Sequence, residues 1–106
     1  MIELTRGQAD AVVQSISEGL KRYGMDHPSA SIALYRYSRF SVRIRVVDPD
    51  FAGMSRGERS ELVWRYFADV PEDATGDVSM LLTLTPEETK TSVGNFEFEH
   101  PVPSEF

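Results

Sequence analysis

The sequence contains no cysteine, which excludes disulfide bonds, thiolate metal ligands and cysteine nucleophiles. No apolar run approaches the ~18 residues that a membrane-spanning helix requires. The N-terminal residues also lack the basic start and apolar stretch of a secretory signal. These absences favour a cytoplasmic protein that has no membrane-spanning segment.

Basic charge is scarce and unevenly placed. The net charge of −6 over 106 residues argues against nucleic-acid binding driven by overall charge. Residues 21–65 nevertheless hold nine of the eleven lysines and arginines, whereas residues 66–106 hold nine acids. A local basic face is therefore compatible with the acidic total, although solvated surface charge is the simpler interpretation.

Capping boxes mark three helix starts, since side chains at both ends of such a box satisfy free backbone N–H groups. The pairs are Thr5 with Gln8, Ser55 with Glu58, and Thr85 with Glu88. Apolar periodicity then predicts the order α-β-β-α-(short α)-β. The expected elements are a helix over 6–23 ended by Gly24, strands over 30–37 and 40–47 joined by Ser38 and Arg39, a helix over 55–69, a short helical turn within 70–76, and a strand over 77–84 with Val78, Met80, Leu82 and Leu84 on one face.

These elements predict a single α+β domain over residues 1–92. Its two layers are a three-stranded mixed sheet and helices on one face of that sheet. Residues 93–106 form a C-terminal tail, in which Phe96 and Phe98 alternate with glutamates. That alternation favours an extra edge strand.

Two glycines precede the second main helix, in the stretch "DFAGMSRGERSELVWRYF". A phosphate-binding loop of Walker type needs a lysine after its second glycine, and here Glu58 follows Gly57. Gly53 is better explained as a turn residue and Ser55 as a helix cap.

Catalytic and metal-binding residues are few. His27 and His100 could form a metal site with Asp26 and Glu99 only if the tail folded back to the first loop. We interpret them as surface loop residues, and neither indicates a catalytic triad. The sequence therefore predicts a protein that is not an enzyme and that has neither a metal nor a cofactor.

The predicted hairpin offers a candidate nucleic-acid interface. Arg43 and Arg45 share one face of its second strand, and Tyr35 and Tyr37 share one face of its first strand. Aromatic rings beside arginines can stack on bases and hold phosphates. The simpler interpretation is a solvated sheet face with cross-strand contacts between tyrosine and arginine.

Two motifs resemble those of a known family. Phe51, Gly53 and Ser55 form a Phe-x-Gly-x-Ser turn after the second strand, and residues 85–88 read Thr-Pro-Glu-Glu after the third. Over roughly residues 5–90 the sequence resembles the BolA-like proteins, also called stress-induced morphogens. The resemblance implies their fold, which is similar to class II KH domains, although no Gly-x-x-Gly loop is present.

The sequence departs from this family at its metal-binding positions. The family's Arg-His-Arg signature reads Arg59-Ser60-Glu61, Asp77 stands for a second histidine, and Ser38 and Arg39 replace a cysteine or histidine in the hairpin loop. In BolA-like proteins such residues help to bridge an iron–sulfur cluster with a monothiol glutaredoxin. Serine and arginine do not replace thiolate or imidazole ligands.

The resemblance therefore implies a small non-enzymatic regulatory or adaptor protein that binds another protein without iron–sulfur ligation. A monothiol glutaredoxin-like protein is one such partner. The expected contact residues lie on the second helix and the preceding turn; they are Arg56, Arg59, Ser60 and Trp64. Trp64 also fits the edge of the core.

Overall fold

The computed structural model describes the backbone of residues 2–4 and the whole of residues 10–100. The helices are α1 (Ala11–Asp26), α2 (Arg56–Trp64), α3 (Glu72–Thr75) and α4 (Val93–Glu99), and the strands are β1 (Ile2–Leu4), β2 (Ser31–Ser38), β3 (Ser41–Val47) and β4 (Val78–Leu84). Short 3₁₀ turns occupy Pro49–Phe51, Arg65–Phe67 and Glu87–Lys90. No helix in these ranges is long and apolar enough to cross a membrane.

The sheet has the strand order β1-β2-β3-β4. Strands β2 and β3 form the predicted antiparallel hairpin, and β4 lies parallel to β3. The α+β class and the mixed sheet of three strands are thus confirmed. Strand β1 extends this sheet by pairing in parallel with β2, which the sequence pattern did not predict.

Helix α1 packs on the first face of the sheet through the apolar stripe that helical spacing predicts: Val12, Val13, Ile16, Leu20 and Tyr23. Ile16 and Leu20 are fully buried in the main core. The helix starts later than predicted because Asp10 is extended and caps the N–H of Val13 at 2.9 Å. It continues past Gly24 to Asp26, so the predicted glycine cap is wrong. The predicted box of residues 5 and 8 lies outside the described residues.

Helix α2 begins as predicted. The Ser55 side chain accepts from the N–H of Glu58, and the Glu58 carboxylate accepts from the N–H of Ser55. Gly53 precedes it with a φ of 82°, a conformation that favours glycine. The helix ends at Trp64 and tightens into a 3₁₀ turn, whose Phe67 is buried in the core. That turn replaces the last residues of the predicted helix.

The second face of the sheet is also covered, and three predictions about this face are wrong. A register shift between Val42 and Arg43 skips Ser79, so Val78 packs in the main core whereas Met80 and Leu82 pack on the opposite face. The prediction that Val78, Met80, Leu82 and Leu84 share one face of β4 is therefore wrong.

Helix α4 covers this opposite face, where the tail was predicted to form an edge strand. Ser92 caps α4 by accepting from the N–H of Asn95 at 3.1 Å. Asn95 and Phe98 are buried at helical spacing, and Phe96 is exposed. The alternation of phenylalanine with glutamate suggested that both rings face the core, as they would in a strand. In the helix only Phe98 is buried. Helices consequently lie on both faces of the sheet, so the prediction that they lie on one face only is wrong.

Candidate functional site

A groove of about 860 Å³ lies between the start of α2, the strand β4 and the start of α4. Its lining comes from residues 54–60, 81–84 and 88–94. The capping box at Ser55 fixes the first turn of α2 on one side, and the Ser92 cap fixes α4 on the other. Each wall of the groove therefore begins at a helix cap that is encoded locally in the sequence. The tertiary fold brings the two caps to opposite sides of β4.

The floor of the groove includes the outer edge of β4, which pairs with no further strand in the described part of the chain. The carbonyl of Leu84 accepts from the N–H of Asp48 at 2.8 Å, at the end of β3. The carbonyl of Thr83 accepts instead from Arg59 at 3.2 Å. Because backbone groups alternate along a strand, Leu81 presents its amide and carbonyl at the same edge as Thr83. An unpaired edge of this kind can accept a further strand.

Arg59 ties this groove together. Only 7% of it is exposed. Its Nε donates to the carbonyl of Met54 at 3.0 Å, and its two Nη groups donate to the Glu88 carboxylate at 2.6 and 3.3 Å. The guanidinium of Arg59, a predicted partner contact, is therefore already occupied by intramolecular acceptors. These hydrogen bonds fix α2 against β4 and against the 3₁₀ turn that follows β4.

The other predicted contact residues divide between the groove and its surroundings. Arg56 is exposed at the groove wall, and Ser60 is half-buried one turn further along α2. Trp64 lies outside the groove lining, is 38% exposed and packs edge-on against Phe67 at 5.0 Å between ring centroids. The structure thus brings Arg56, Arg59 and Ser60 together, with Trp64 at the edge of the core.

Glu88 is held by two interactions in the charged state. The hydrogen bond from Arg59, followed by one from the backbone N–H of Thr85, lowers the pKa of Glu88 from 4.5 to about 2. The Thr85 N–H lies 2.8 Å from the carboxylate, as the predicted capping box requires. This carboxylate therefore favours the folded state only while it is ionised.

Acid titration should reveal this contribution. The Glu88 pKa is lower in the folded state, so its stabilisation is fully present above about pH 4.5 and is lost as the pH falls towards about 2. Glu88→Gln should flatten the loss of stability in this range, measured by urea unfolding at several pH values. The effect should be small, since 43% of the side chain is exposed. Glu87→Gln, on the same turn, is the matched control, and an equal flattening by this control would contradict the assignment.

The predicted nucleic-acid interface is covered by α4. Tyr35 is 1% exposed, and its hydroxyl donates to the carbonyl of Phe98 at 2.9 Å. Arg45 donates to Asn95 at 2.9 Å and to Glu99 at 2.7 Å. The prediction of an exposed sheet face is wrong here, because α4 occupies the surface on which bases would stack.

Arg43 makes a cross-strand contact with a tyrosine, as the interpretation of the hairpin as an ordinary sheet surface predicted. Its guanidinium carbon lies 3.6 Å from the centre of the Tyr37 ring. Such cation–π pairs commonly stabilise a sheet surface. Arg43 therefore gives no particular support to nucleic-acid binding.

The two histidines lie on different faces of the sheet. His100 packs against Phe96 at the end of α4, with ring centroids 4.6 Å apart. His27 caps the end of α1 and contacts Asp48 and Asp50. The metal site that would combine both histidines, considered in the sequence analysis, is therefore not formed. The sequence signal for the actual neighbours of His27 is the Asp-Pro-Asp stretch directly after β3, a composition that by itself indicates only a turn.

No family model matches the chain, and no curated protein and no solved structure matches it at a significant level. The resemblance to BolA-like proteins therefore stays a prediction from the motifs.

Proposed function

We propose that this chain is a non-enzymatic, cytoplasmic regulatory or adaptor domain of BolA-like type that binds a protein partner in the groove between α2, β4 and α4. One observation carries the proposal. Arg56, Arg59 and Ser60, which the resemblance predicts as contact residues, line the same groove as an unpaired strand edge. A groove with a backbone edge and a nearby cation suits an extended protein segment.

The charges of the groove favour an acidic segment. The charge of Arg59 is balanced by Glu88, with 2.6 Å between the closest atoms. Arg56 makes no ion pair with any residue that the structure describes, and it lies exposed at the groove wall. A carboxylate on the partner would complement Arg56, while its backbone would pair with Leu81. Val93, which is 74% exposed, offers an apolar contact at the opposite wall.

The chemistry of the groove argues against a shared iron–sulfur cluster. Its lining contains neither histidine nor cysteine. Ser60 stands where the resembled family has its ligand, and the Asp77 carboxylate accepts from Arg36 at 3.1 Å. Because these clusters require thiolate or imidazole ligands, the partner is bound through protein contacts alone.

Titration with a monothiol glutaredoxin tests this proposal, since the resemblance points to that class of partner. We expect binding in calorimetry with both the cluster-free and the cluster-loaded glutaredoxin, and no change in the cluster's absorption. Arg56→Glu should weaken binding by about tenfold or more, because it places like charges against each other. Arg65→Glu is the matched control, since Arg65 is an exposed residue outside the groove.

Two outcomes would count against the proposal. A cluster spectrum that shifts on mixing would show ligation by this chain. Equal weakening by Arg56→Glu and Arg65→Glu would show that the groove is not the contact surface.

A further inference from the structure

A second cluster of polar side chains lies where α1 ends, on the helical side of the sheet. It consists of His27, Asp48 at the end of β3, and Asp50 in the following 3₁₀ turn. His27 Nδ1 lies 3.3 Å from Asp48 Oδ2 and 2.9 Å from Asp50 Oδ2. One ligand atom from each of the three residues lies within 4.8 Å of the others. Two carboxylates thus converge on a single imidazole nitrogen.

Neighbouring groups hold the less exposed side chains of this cluster, His27 and Asp48, in place. Asp48 is completely buried, its Oδ1 accepts from the N–H of Asp50 at 2.9 Å, and its Oδ2 accepts from the Tyr23 hydroxyl at 2.5 Å. The Tyr23 ring stacks on His27, with centroids 4.2 Å apart and planes 11° from parallel. Side chains that bind metals are typically oriented by such outer contacts.

The cluster carries negative charge that no lysine or arginine balances within residues 10–100. The ion pairs of Asp48 and Asp50 in this range are those with His27. The neighbouring Tyr66 hydroxyl donates to Asp26, which adds a third carboxylate nearby. A cation bound between these side chains would offset the charge of the buried Asp48 carboxylate.

We propose that His27, Asp48 and Asp50 bind a divalent transition-metal cation, of which Zn²⁺ is the representative. Ligand atoms on one tetrahedral Zn²⁺ are about 3.3 Å apart, given bonds of about 2.0–2.1 Å. The separations of 3.3 and 2.9 Å from His27 Nδ1 fall near this value, and the two carboxylate oxygens lie within 4.8 Å of each other, so the carboxylates would move together around a bound ion. One imidazole and two carboxylates suit Zn²⁺ or Mn²⁺ better than a soft cation.

The site is reachable from solvent on one side. The Asp50 side chain is 63% exposed, whereas that of His27 is 17% exposed and that of Asp48 is buried. Three protein ligands leave a fourth position of a tetrahedral ion for water. This site does not involve the groove residues, so it stands or fails independently of the proposed partner binding.

Calorimetric titration of the full chain with Zn²⁺, after removal of metal by chelation, tests the assignment. We expect one-to-one binding that Asp50→Asn and His27→Gln each weaken by about tenfold or more, since a lost ligand costs at least as much as a lost supporting contact. His100→Gln is the matched control and should leave the affinity unchanged, because His100 lies at the end of α4, away from this cluster. Circular dichroism checks that each variant folds.

Substitution of Co²⁺ for Zn²⁺ provides a second readout that does not depend on affinity alone. The wild-type chain should give the visible absorption of tetrahedral Co²⁺, and His27→Gln should remove it. Absence of Zn²⁺ binding would overturn the proposal and leave His27 as a hydrogen-bond partner of Asp50. Binding that survives Asp50→Asn and His27→Gln, or that is lost with His100→Gln, would overturn it as well.

Discussion

Replacement of Phe98 by alanine is expected to lower the free energy of unfolding by about 3 kcal/mol and to release α4 from the sheet. Phe98 is 3% exposed and packs against Tyr35 with ring centroids 4.8 Å apart. The Arg45 guanidinium carbon lies 5.0 Å from the same ring. Truncation leaves a cavity and removes the main apolar contact of a helix with only seven residues.

Urea unfolding monitored by circular dichroism measures this loss, and hydrogen exchange at residues 93–99 reports the release of α4. Phe96→Ala is the matched control, because Phe96 lies on the same helix but is 63% exposed. It should change the free energy of unfolding by less than about 0.5 kcal/mol. Equal effects of the two substitutions would mean that α4 does not cover the sheet as described.

Replacement of Arg59 by alanine is expected to cost about 3 kcal/mol. The guanidinium satisfies the carbonyl of Thr83 and the Glu88 carboxylate, and its loss leaves these acceptors without their partner. The cost stays below that of breaking a fully buried ion pair, since the Glu88 side chain is 43% exposed. Arg59→Lys should recover little of the loss, because an ammonium cannot reproduce the forked geometry.

Thermal and urea unfolding measure the effect of Arg59→Ala against Arg65→Ala. Arg65 pairs with Glu61 at 3.5 Å on the exposed side of the helix, where such pairs contribute about 0.3–0.5 kcal/mol. If Arg59→Lys were as stable as the wild type, the forked contacts would not carry the stability assigned to them.

Local signals explain which parts of the fold were predictable. Helix starts depend on side chains three residues apart, so the boxes at Ser55 and Thr85 were found correctly. The hairpin follows from alternation in β3 and a short link. The predicted α1 stripe was likewise correct, because helical spacing is regular over several turns.

Tertiary context explains the failures. The skipped Ser79 in β4 leaves no local signal, yet it moves Met80 and Leu82 to the opposite face. The burial of Phe98 depends on Tyr35, which lies 63 residues earlier in the chain. Short apolar patterns such as that of α4 cannot distinguish a helix from a strand by themselves.

The candidate groove was predictable in part. The second-helix motif pointed to Arg56 and Ser60 through the resemblance, and both line the groove. The motif could not show that Arg59 is occupied by Glu88, since 29 residues separate them. Nor could it show the open edge of β4, because strand order depends on the whole sheet.

A chemical-shift map tests the central claim most directly. The isotope-labelled chain is titrated with a cluster-free monothiol glutaredoxin, and its backbone amides are followed by NMR. We predict the largest changes at Arg56, Ser60 and Leu81, with Phe40 at the hairpin tip unchanged. Largest changes at Phe40 or elsewhere outside the groove, or no changes at a saturating concentration of glutaredoxin, would contradict the proposal that this groove binds the partner.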